Sequence, residues 1–137
     1  MRVCVAIAVV VVAVLVVLAV VPTPQRATYQ TDLPVYGPNI LGCGHSVLIA
    51  ESWTFPAGKW IHLSWTTSPA TNITIVASTP PTGNVSLGGG NFSESGTSGS
   101  RTFQASGGEY EFDFFNCENQ ATTVTISAYY NFNAPLL

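Results

Sequence analysis

Charged side chains are scarce in this chain of 137 residues, where Asp, Glu, Lys and Arg together make up only 8%. Ordinary soluble domains carry about a quarter. Only four residues are basic, and the formal net charge is −3. A nucleic-acid-binding surface needs clustered Lys and Arg to displace phosphate counterions. The composition therefore argues against nucleic acid as a partner.

Groups that carry catalysis are also few. The chain has two histidines, His45 and His62, and it lacks the Gly-x-Ser-x-Gly, His-Glu-x-x-His and phosphate-loop patterns. A zinc or copper site would need His45 together with free thiols at Cys43 and Cys117. Those two cysteines are better explained as a disulfide, so we expect no metal. Because the catalytic motifs are also missing, we expect no enzyme activity and no cofactor.

One long apolar run stands at the amino end. Residues 3–21 are nineteen positions drawn only from Val, Ala, Leu, Ile and Cys. A helix of that length reaches roughly 28 Å, close to the ~30 Å hydrocarbon core of a bilayer. Arg2 and the terminal amine flank one side, which places that side in the cytoplasm. We predict a signal-anchor over residues 1–21 in the cell membrane, single-pass, with the remaining chain extracytoplasmic.

Two other interpretations of the run stay open. A cleaved secretory signal has an apolar core of about 7–15 residues that ends at small residues, whereas positions 18–24 read Leu-Ala-Val-Val-Pro-Thr-Pro. A filament subunit of the type IV pilin class also begins with an apolar helix, although no charged leader with a processing site precedes Val3. The cleaved signal, like the signal-anchor, places the remaining chain outside the cytoplasm.

Cys43 and Cys117 lie beyond the apolar run, whereas Cys4 lies within it. An even number of exported cysteines indicates a disulfide. A bridge from residue 43 to residue 117 would stabilise the fold by about 4–5 kcal/mol in the chain-entropy model. The alternative is two separate buried thiols.

Three sequons predict a glycosylated face in an exported domain. They begin at Asn72, Asn84 and Asn91, each followed two positions later by Ser or Thr.

Strand patterns dominate the remaining chain. In residues 109–114 Tyr110, Phe112 and Phe114 alternate with carboxylates, which predicts one core face and one solvated face. Alternation also predicts strands over 60–65, with Ile61, Leu63 and Trp65 toward the core, and over 123–130, with Val124, Ile126 and Ala128 inward. Further strands are predicted over 72–78, which is rich in β-branched residues, and over 46–55. Pro56-Ala57-Gly58 predicts a hairpin turn between the strands over 46–55 and 60–65.

These patterns predict an all-β fold: an antiparallel, jelly-roll-like β-sandwich of about seven strands. We expect it to occupy residues 39–137. Residues 22–38 contain four prolines and predict an extended stalk. The Gly/Ser-rich residues 87–100 predict a mobile loop.

The stretch Gly-Glu-Tyr-Glu-Phe-Asp-Phe-Phe-Asn at 108–116, followed by Val-Thr-Ile-Ser at 124–127, resembles the final hairpin of GOLD-type jelly-roll sandwiches. The resemblance implies a sandwich and a binding role, with Cys43 and Cys117 as counterparts of a disulfide found in the Golgi cargo-receptor group. The whole chain is also similar to short, single-anchor exported β-sandwich proteins of prokaryotes, particularly archaea, which implies no chemistry.

Aromatic residues are the candidate binding groups. Trp53, Trp60 and Tyr129, if they point outward, form a platform for carbohydrate rings or a protein partner; the alternative is half-buried packing. We therefore expect a membrane-anchored, extracytoplasmic β-sandwich with a non-catalytic binding, adhesion or envelope-structural role. The alternative is a pilin-like or surface-layer filament subunit assembled through the apolar helix.

Overall fold

The computed structural model describes residues 7, 9–14, 16, 23–35, 50–81 and 90–134. The chain forms two compact units. One is Thr28–Tyr130, and the other holds the described helical residues together with the ends of the first and last strands. Residues 7, 9–14 and 16 are helical. No helix within the described ranges is long and apolar enough to cross a bilayer.

Eight strands are described, rather than the seven expected. They are β1 (Thr23–Val35), β2 (Ala50–Phe55), β3 (Trp60–Ser68), β4 (Ile73–Ser78), β5 (Phe92–Gly96), β6 (Ser98–Gln104), β7 (Gly108–Asn116) and β8 (Thr122–Ala134).

The strands form two four-stranded sheets. The first sheet has the order β1-β8-β3-β6 and the second has the order β2-β7-β4-β5. Strand β1 is therefore the neighbour of β8, β2 of β7, β3 of β6 and β4 of β5, and these four pairs are divided between the two sheets. This is the arrangement of a jelly roll. The predicted antiparallel β-sandwich is confirmed.

The Gly/Ser-rich segment expected to be a mobile loop instead supplies β5 and β6, so that prediction is wrong for residues 92–100. Its small residues make room for large neighbours: Gly99 lies opposite Trp65 on β3, and a methyl group at this glycine would overlap the indole ring. Arg101 pairs with Glu94 and lies 4.5 Å from the centre of the Phe92 ring. Side-chain contacts therefore stabilise strands that the composition does not indicate.

Strand β1 begins well before the expected start of the sandwich at residue 39. It occupies most of the predicted stalk as an edge strand of the first sheet. Its Tyr29 and Leu33 side chains pack against the core, and Val35 is buried. An edge position tolerates Pro34 because its missing N–H removes no bond from a central ladder.

The turn after β2 forms where predicted, and Gly58 adopts a positive φ of 77°. It does not close a hairpin, because β2 pairs with β7 in the second sheet, whereas β3 pairs with β6 and β8 in the first. Strands β7 and β8 likewise lie in different sheets. The GOLD-type resemblance, which these two strands carry, stays a prediction.

The core lies between the sheets, and the predicted alternation of β3, β7 and β8 is confirmed. The core residues that these three strands contribute are Ile61, Leu63, Trp65, Tyr110, Phe112, Phe114, Val124, Ile126 and Ala128. Since side chains on a strand alternate between faces, the intervening residues point away from this core.

The outward face of the second sheet differs from the expected solvated surface. Glu109 is exposed and Glu111 is half-buried, but Asp113 is only 1% exposed. It lies opposite Val76, which is also buried outside the main core. Within the described part of the chain neither Asp113 oxygen has a hydrogen-bond partner. Burial, together with the smaller effect of the negative charge of Glu111, raises the pKa of Asp113 to about 7.

The Asp113 carboxyl should make the stability of the fold depend on pH. Its pKa in the folded chain lies above the ordinary value of 3.8, so the native state holds the proton more tightly than the unfolded chain. Its contribution to the free energy of unfolding is therefore greatest below about pH 4 and declines as the pH rises to about 7, on the order of 1 kcal/mol per pH unit.

Asp113→Asn should remove this decline, so the variant gains stability relative to the wild type as the pH rises. Denaturant unfolding from pH 4 to pH 8 measures the difference. Glu109→Gln, which changes an exposed carboxylate on the same strand, is the matched control and should keep the wild-type slope. Parallel curves for Asp113→Asn and the wild type would contradict this account of the buried carboxyl.

Candidate functional site

The outward face of the first sheet carries one exposed aromatic side chain, Trp60, and two half-buried ones, His62 and Tyr129. Because Ile61, Leu63 and Trp65 turn into the core, Trp60 and His62 on the same strand point outward. Tyr129 on β8 lies directly opposite His62. We call Trp60, His62 and Tyr129 the aromatic platform.

Two rings of the platform are stacked on each other. The His62 and Tyr129 ring centres are 4.6 Å apart, and their planes differ by only 16°. On the other side His62 lies opposite Thr102 of β6, with 3.2 Å between the imidazole Nδ1 and the threonine Oγ1. The imidazole is therefore held between neighbours on both adjacent strands.

Trp60 is the exposed end of the platform. Its side chain is 58% exposed, whereas Trp53 and Trp65 are 8% and 3% exposed. It lies opposite Gln104 at the start of β3, and the Gln104 amide donates a hydrogen bond to the carbonyl oxygen of Gly58. The indole is thus open to contact from outside.

Hydroxyl groups continue the face beyond the platform. They form two rows across β8, β3 and β6, which we call the hydroxyl rows: Ser127, Ser64 and Ser100 in one, and Thr125, Thr66 and Ser98 in the other. The Ser64 and Ser127 oxygens are 2.9 Å apart. Thr125 donates a 2.6 Å hydrogen bond to Asp32 of β1.

Trp53, which we expected to join Trp60 and Tyr129 at one surface, lies instead in the core. Pairing of β2 with β7 places it opposite the buried Tyr110. Its ring lies 5.5 Å from that of Phe112 and 5.6 Å from that of Tyr29, and its indole N–H donates to Glu51. The prediction is wrong for Trp53 because the strand pattern does not specify which face of β2 meets the other sheet.

The structure places His62 where sequence reasoning expected Trp53. The available signal was the spacing of Trp60 and His62, which puts them on one strand face. That spacing points to a site only when Tyr129 is known to lie opposite His62. This contact comes from the pairing of β3 with β8, which joins residues far apart in the chain.

The predicted covalent sites are placed only in part. Cys117 is a disulfide-bonded cysteine, but Cys43 lies outside the described residues, so the pairing of these two stays a prediction. Asn72 and Asn91 are exposed, and Asn84 lies outside the described residues. Use of the three sequons stays a prediction.

The chemistry available at this face is stacking and hydrogen bonding. Within the described ranges no group of three or more His, Cys, Asp or Glu side chains is placed to hold a metal. The contacts of His62 are a hydroxyl and a phenol ring. His45, the other histidine, lies outside the described residues.

Comparisons with known proteins bear on the fold. No protein-family model and no curated protein matches this chain. A chain of the Bacillus endospore appendages, a family of disulfide-linked pili, is 12% identical with a TM-score of 0.49, covering 83% of this chain and 91% of that one. The decameric BFDV capsid protein is 9% identical with a TM-score of 0.50, covering 82% and 98%.

The acid-stable capsid of Helicobacter pylori bacteriophage KHP30 is 12% identical with a TM-score of 0.36, covering 82% of this chain and 98% of that one. The likeness to the BFDV capsid protein shows a shared β-sandwich fold and nothing about function.

The different burial of two tryptophans predicts different effects on stability. Trp53→Ala should lower the free energy of unfolding by about 3–5 kcal/mol, because it empties a buried site between aromatic rings. Trp60→Ala should change it by about 0.5 kcal/mol or less, because the indole lies at the surface. Denaturant unfolding of the full chain in detergent micelles, followed by circular dichroism, measures both values. Equal losses for the two variants would contradict the placement of Trp53 in the core and Trp60 on the outer face.

Proposed function

We propose that this chain is a non-catalytic, extracytoplasmic β-sandwich, held in the cell membrane by the apolar segment at residues 3–21, that serves in binding, adhesion or envelope structure. The observation that carries the proposal is the exposure of the described helical residues. Ile7 and six valines between residues 9 and 16 are each 51–62% exposed.

These helical residues are apolar on every side. Residues 9–12 are four consecutive valines, and successive residues of an α-helix are about 100° apart around its axis, so together they cover the whole circumference. A helix at the surface of a globular protein has a polar face. One that is apolar all round needs lipid, or the interior of an assembly, around it.

A bilayer fits the sequence around these residues. The uncharged run of nineteen residues matches the hydrocarbon thickness, and a helix satisfies its own backbone hydrogen bonds in lipid. Arg2 before the run and the polar chain after it favour a cytoplasmic amino terminus. The sandwich would then face the outside.

The outer face of the first sheet supports a non-catalytic role. General acid–base or nucleophilic catalysis requires a base near a nucleophile and a group that orients the base. His62 has a threonine hydroxyl within reach, but within the described residues no carboxylate hydrogen-bonds to it. A stacked imidazole with a hydroxyl neighbour is suited to contact with a ligand.

Membrane attachment should depend on the apolar segment. The wild-type chain should stay with membranes during alkaline carbonate washing and leave them in mild detergent as a monomer. Val10→Lys combined with Val14→Lys should release it, because each lysine near the centre of a spanning helix costs about 2.5–3.5 kcal/mol. Thr54→Lys combined with Ser98→Lys adds the same charge at exposed strand positions and should stay membrane-bound.

Release of the wild type by carbonate would overturn the anchor. A polymer that resists detergent would overturn it in favour of the filament subunit, in which the apolar helix packs against copies of itself.

Chemical labelling of Lys59, the one lysine of the sequence, tests which side of the membrane the sandwich occupies. A membrane-impermeant amine reagent applied to intact cells should label the wild type but not Lys59→Arg, because the terminal amine lies inside. Equal labelling of both chains would show an external amino terminus and contradict the proposed orientation.

A further inference from the structure

We infer that the outward face of the first sheet binds a neutral polysaccharide, with the aromatic platform stacking against sugar rings and the hydroxyl rows bonding to sugar hydroxyls. This inference rests on the binding role proposed above and not on the membrane anchor, since every residue it uses lies within Thr28–Tyr130.

The exposed indole of Trp60 calls for an explanation. The fold buries the other two tryptophans almost completely, yet leaves this one 58% exposed at an outward position of a central strand. Exposed aromatic groups concentrate binding energy, because a rigid ring presents a large contact area at little cost in conformational entropy. Trp60 is therefore the strongest single candidate for ligand contact.

The second stacking group is already held in place. Tyr129 lies against His62 at 4.6 Å, and His62 lies within 3.2 Å of Thr102 on the opposite side. Both side chains stand on paired strands rather than on loops. A surface fixed in this way loses little freedom when a ligand binds, which improves affinity.

The charges on this face indicate a neutral ligand. Across β8, β3 and β6 the outward positions from Trp60 to Thr66 and their cross-strand neighbours include no Asp, Glu, Lys or Arg. Asp32 of β1 lies at the edge of this face, where its carboxylate accepts the Thr125 hydrogen bond. A phosphate or nucleic-acid ligand requires basic side chains, and an acidic glycan requires them for the same electrostatic reason. Neutral sugars need apolar ring contacts and hydroxyl partners, both of which this face supplies.

The hydroxyl rows favour a sugar over a protein partner. The buried centre of a protein interface is enriched in aromatic residues, Met and Arg and depleted in Ser, whereas two complete rows here are Ser and Thr. Each hydroxyl both donates and accepts hydrogen bonds, as the hydroxyls of a sugar do. The platform and the hydroxyl rows together match a ligand that has apolar ring faces and polar edges.

The length of the face indicates an oligomeric ligand. From Trp60 to Thr66 the strand advances six residues, or about 20 Å at about 3.3 Å per residue. Neighbouring strands add about 4.7–4.9 Å each in width. A single sugar would leave most of this surface uncovered, so a chain of several sugars is the expected ligand.

Affinity electrophoresis tests the inference on the full chain. The protein, solubilised in a detergent without a sugar headgroup so that the detergent does not compete, is run through native gels containing mannan, xylan, galactomannan, laminarin or dextran. Polygalacturonate serves as the acidic counterpart. We expect at least one neutral polysaccharide to retard the wild type, with little effect of salt.

Variants then assign the binding to this face. Trp60→Ala and Tyr129→Ala should each weaken binding at least tenfold, and Trp60→Phe, which keeps a ring, should weaken it less. Ser64→Ala combined with Ser127→Ala should weaken it severalfold. Ser52→Ala, at an exposed position of the second sheet, is the matched control and should bind as the wild type does.

Several outcomes would overturn the inference. They are no retardation by any of the five neutral polysaccharides, retardation by polygalacturonate alone, and unchanged binding by Trp60→Ala whose unfolding midpoint equals that of the wild type. If no polysaccharide retards the wild type, and the wild type forms dimers that Trp60→Ala does not form, the face would be assigned to contact between two copies of the chain instead. A chain that resists carbonate washing but binds no polysaccharide would refute this inference and leave the proposed membrane-held role standing.

Discussion

The structure depends on the burial of one side of strand β3 between the two sheets. Ile61, Leu63 and Trp65 are at most 3% exposed, and the strand that carries them is paired on both edges, with β8 and β6. Because a strand alternates its side chains between faces, this burial also determines what points outward. A shift of one residue would place Trp60 and His62 in the core and expose the isoleucine, leucine and tryptophan. The aromatic platform is therefore a geometric consequence of the core.

The outward faces of the two sheets have different chemistry. On the first sheet the platform and the hydroxyl rows are accessible and almost without charge. On the second sheet Val76, Asp113 and Phe115 are buried although they lie outside the main core, and the Asp113 carboxyl has no hydrogen-bond partner within the described residues. Burying an unpaired polar group reduces stability, and the cost is much larger when the group is charged. The first sheet thus offers a surface for a ligand, and the second contains a group sensitive to protonation.

Local patterns in the sequence predicted much of the fold. Alternation in β3, β7 and β8 was sufficient to place their core residues, since a half-buried strand requires an apolar residue at every second position. The same reasoning missed β5 and β6, because Gly and Ser have low strand propensity and the contacts that hold them, such as Gly99 under Trp65, involve distant residues. It also mistook the turn at residues 56–58 for a hairpin, because a turn motif does not reveal that the chain passes from one sheet to the other.

The candidate site was less predictable than the fold. Trp60 and Tyr129 were identified from their type, but their contact with His62 depends on the pairing of β3 with β8. For Trp53 and Asp113 the sequence predicted a surface position, and the prediction was wrong. Packing against distant parts of the chain buries both side chains. What the sequence could not provide was the choice of which strands pair and what covers each face.

The pairing of β3 with β8 is the claim on which the platform and the proposed ligand depend. Ser64→Cys combined with Ser127→Cys tests it, because these residues face each other with their oxygens 2.9 Å apart. Trypsin cuts after Lys59 and Arg101, so oxidation should join the peptides 60–101 and 102–137 in a non-reducing mass spectrum. Ser64→Cys combined with Ala128→Cys should leave these peptides unlinked, since Ala128 faces the core. Linkage in the second variant and not in the first would mean a register shifted by one residue, and would contradict the account.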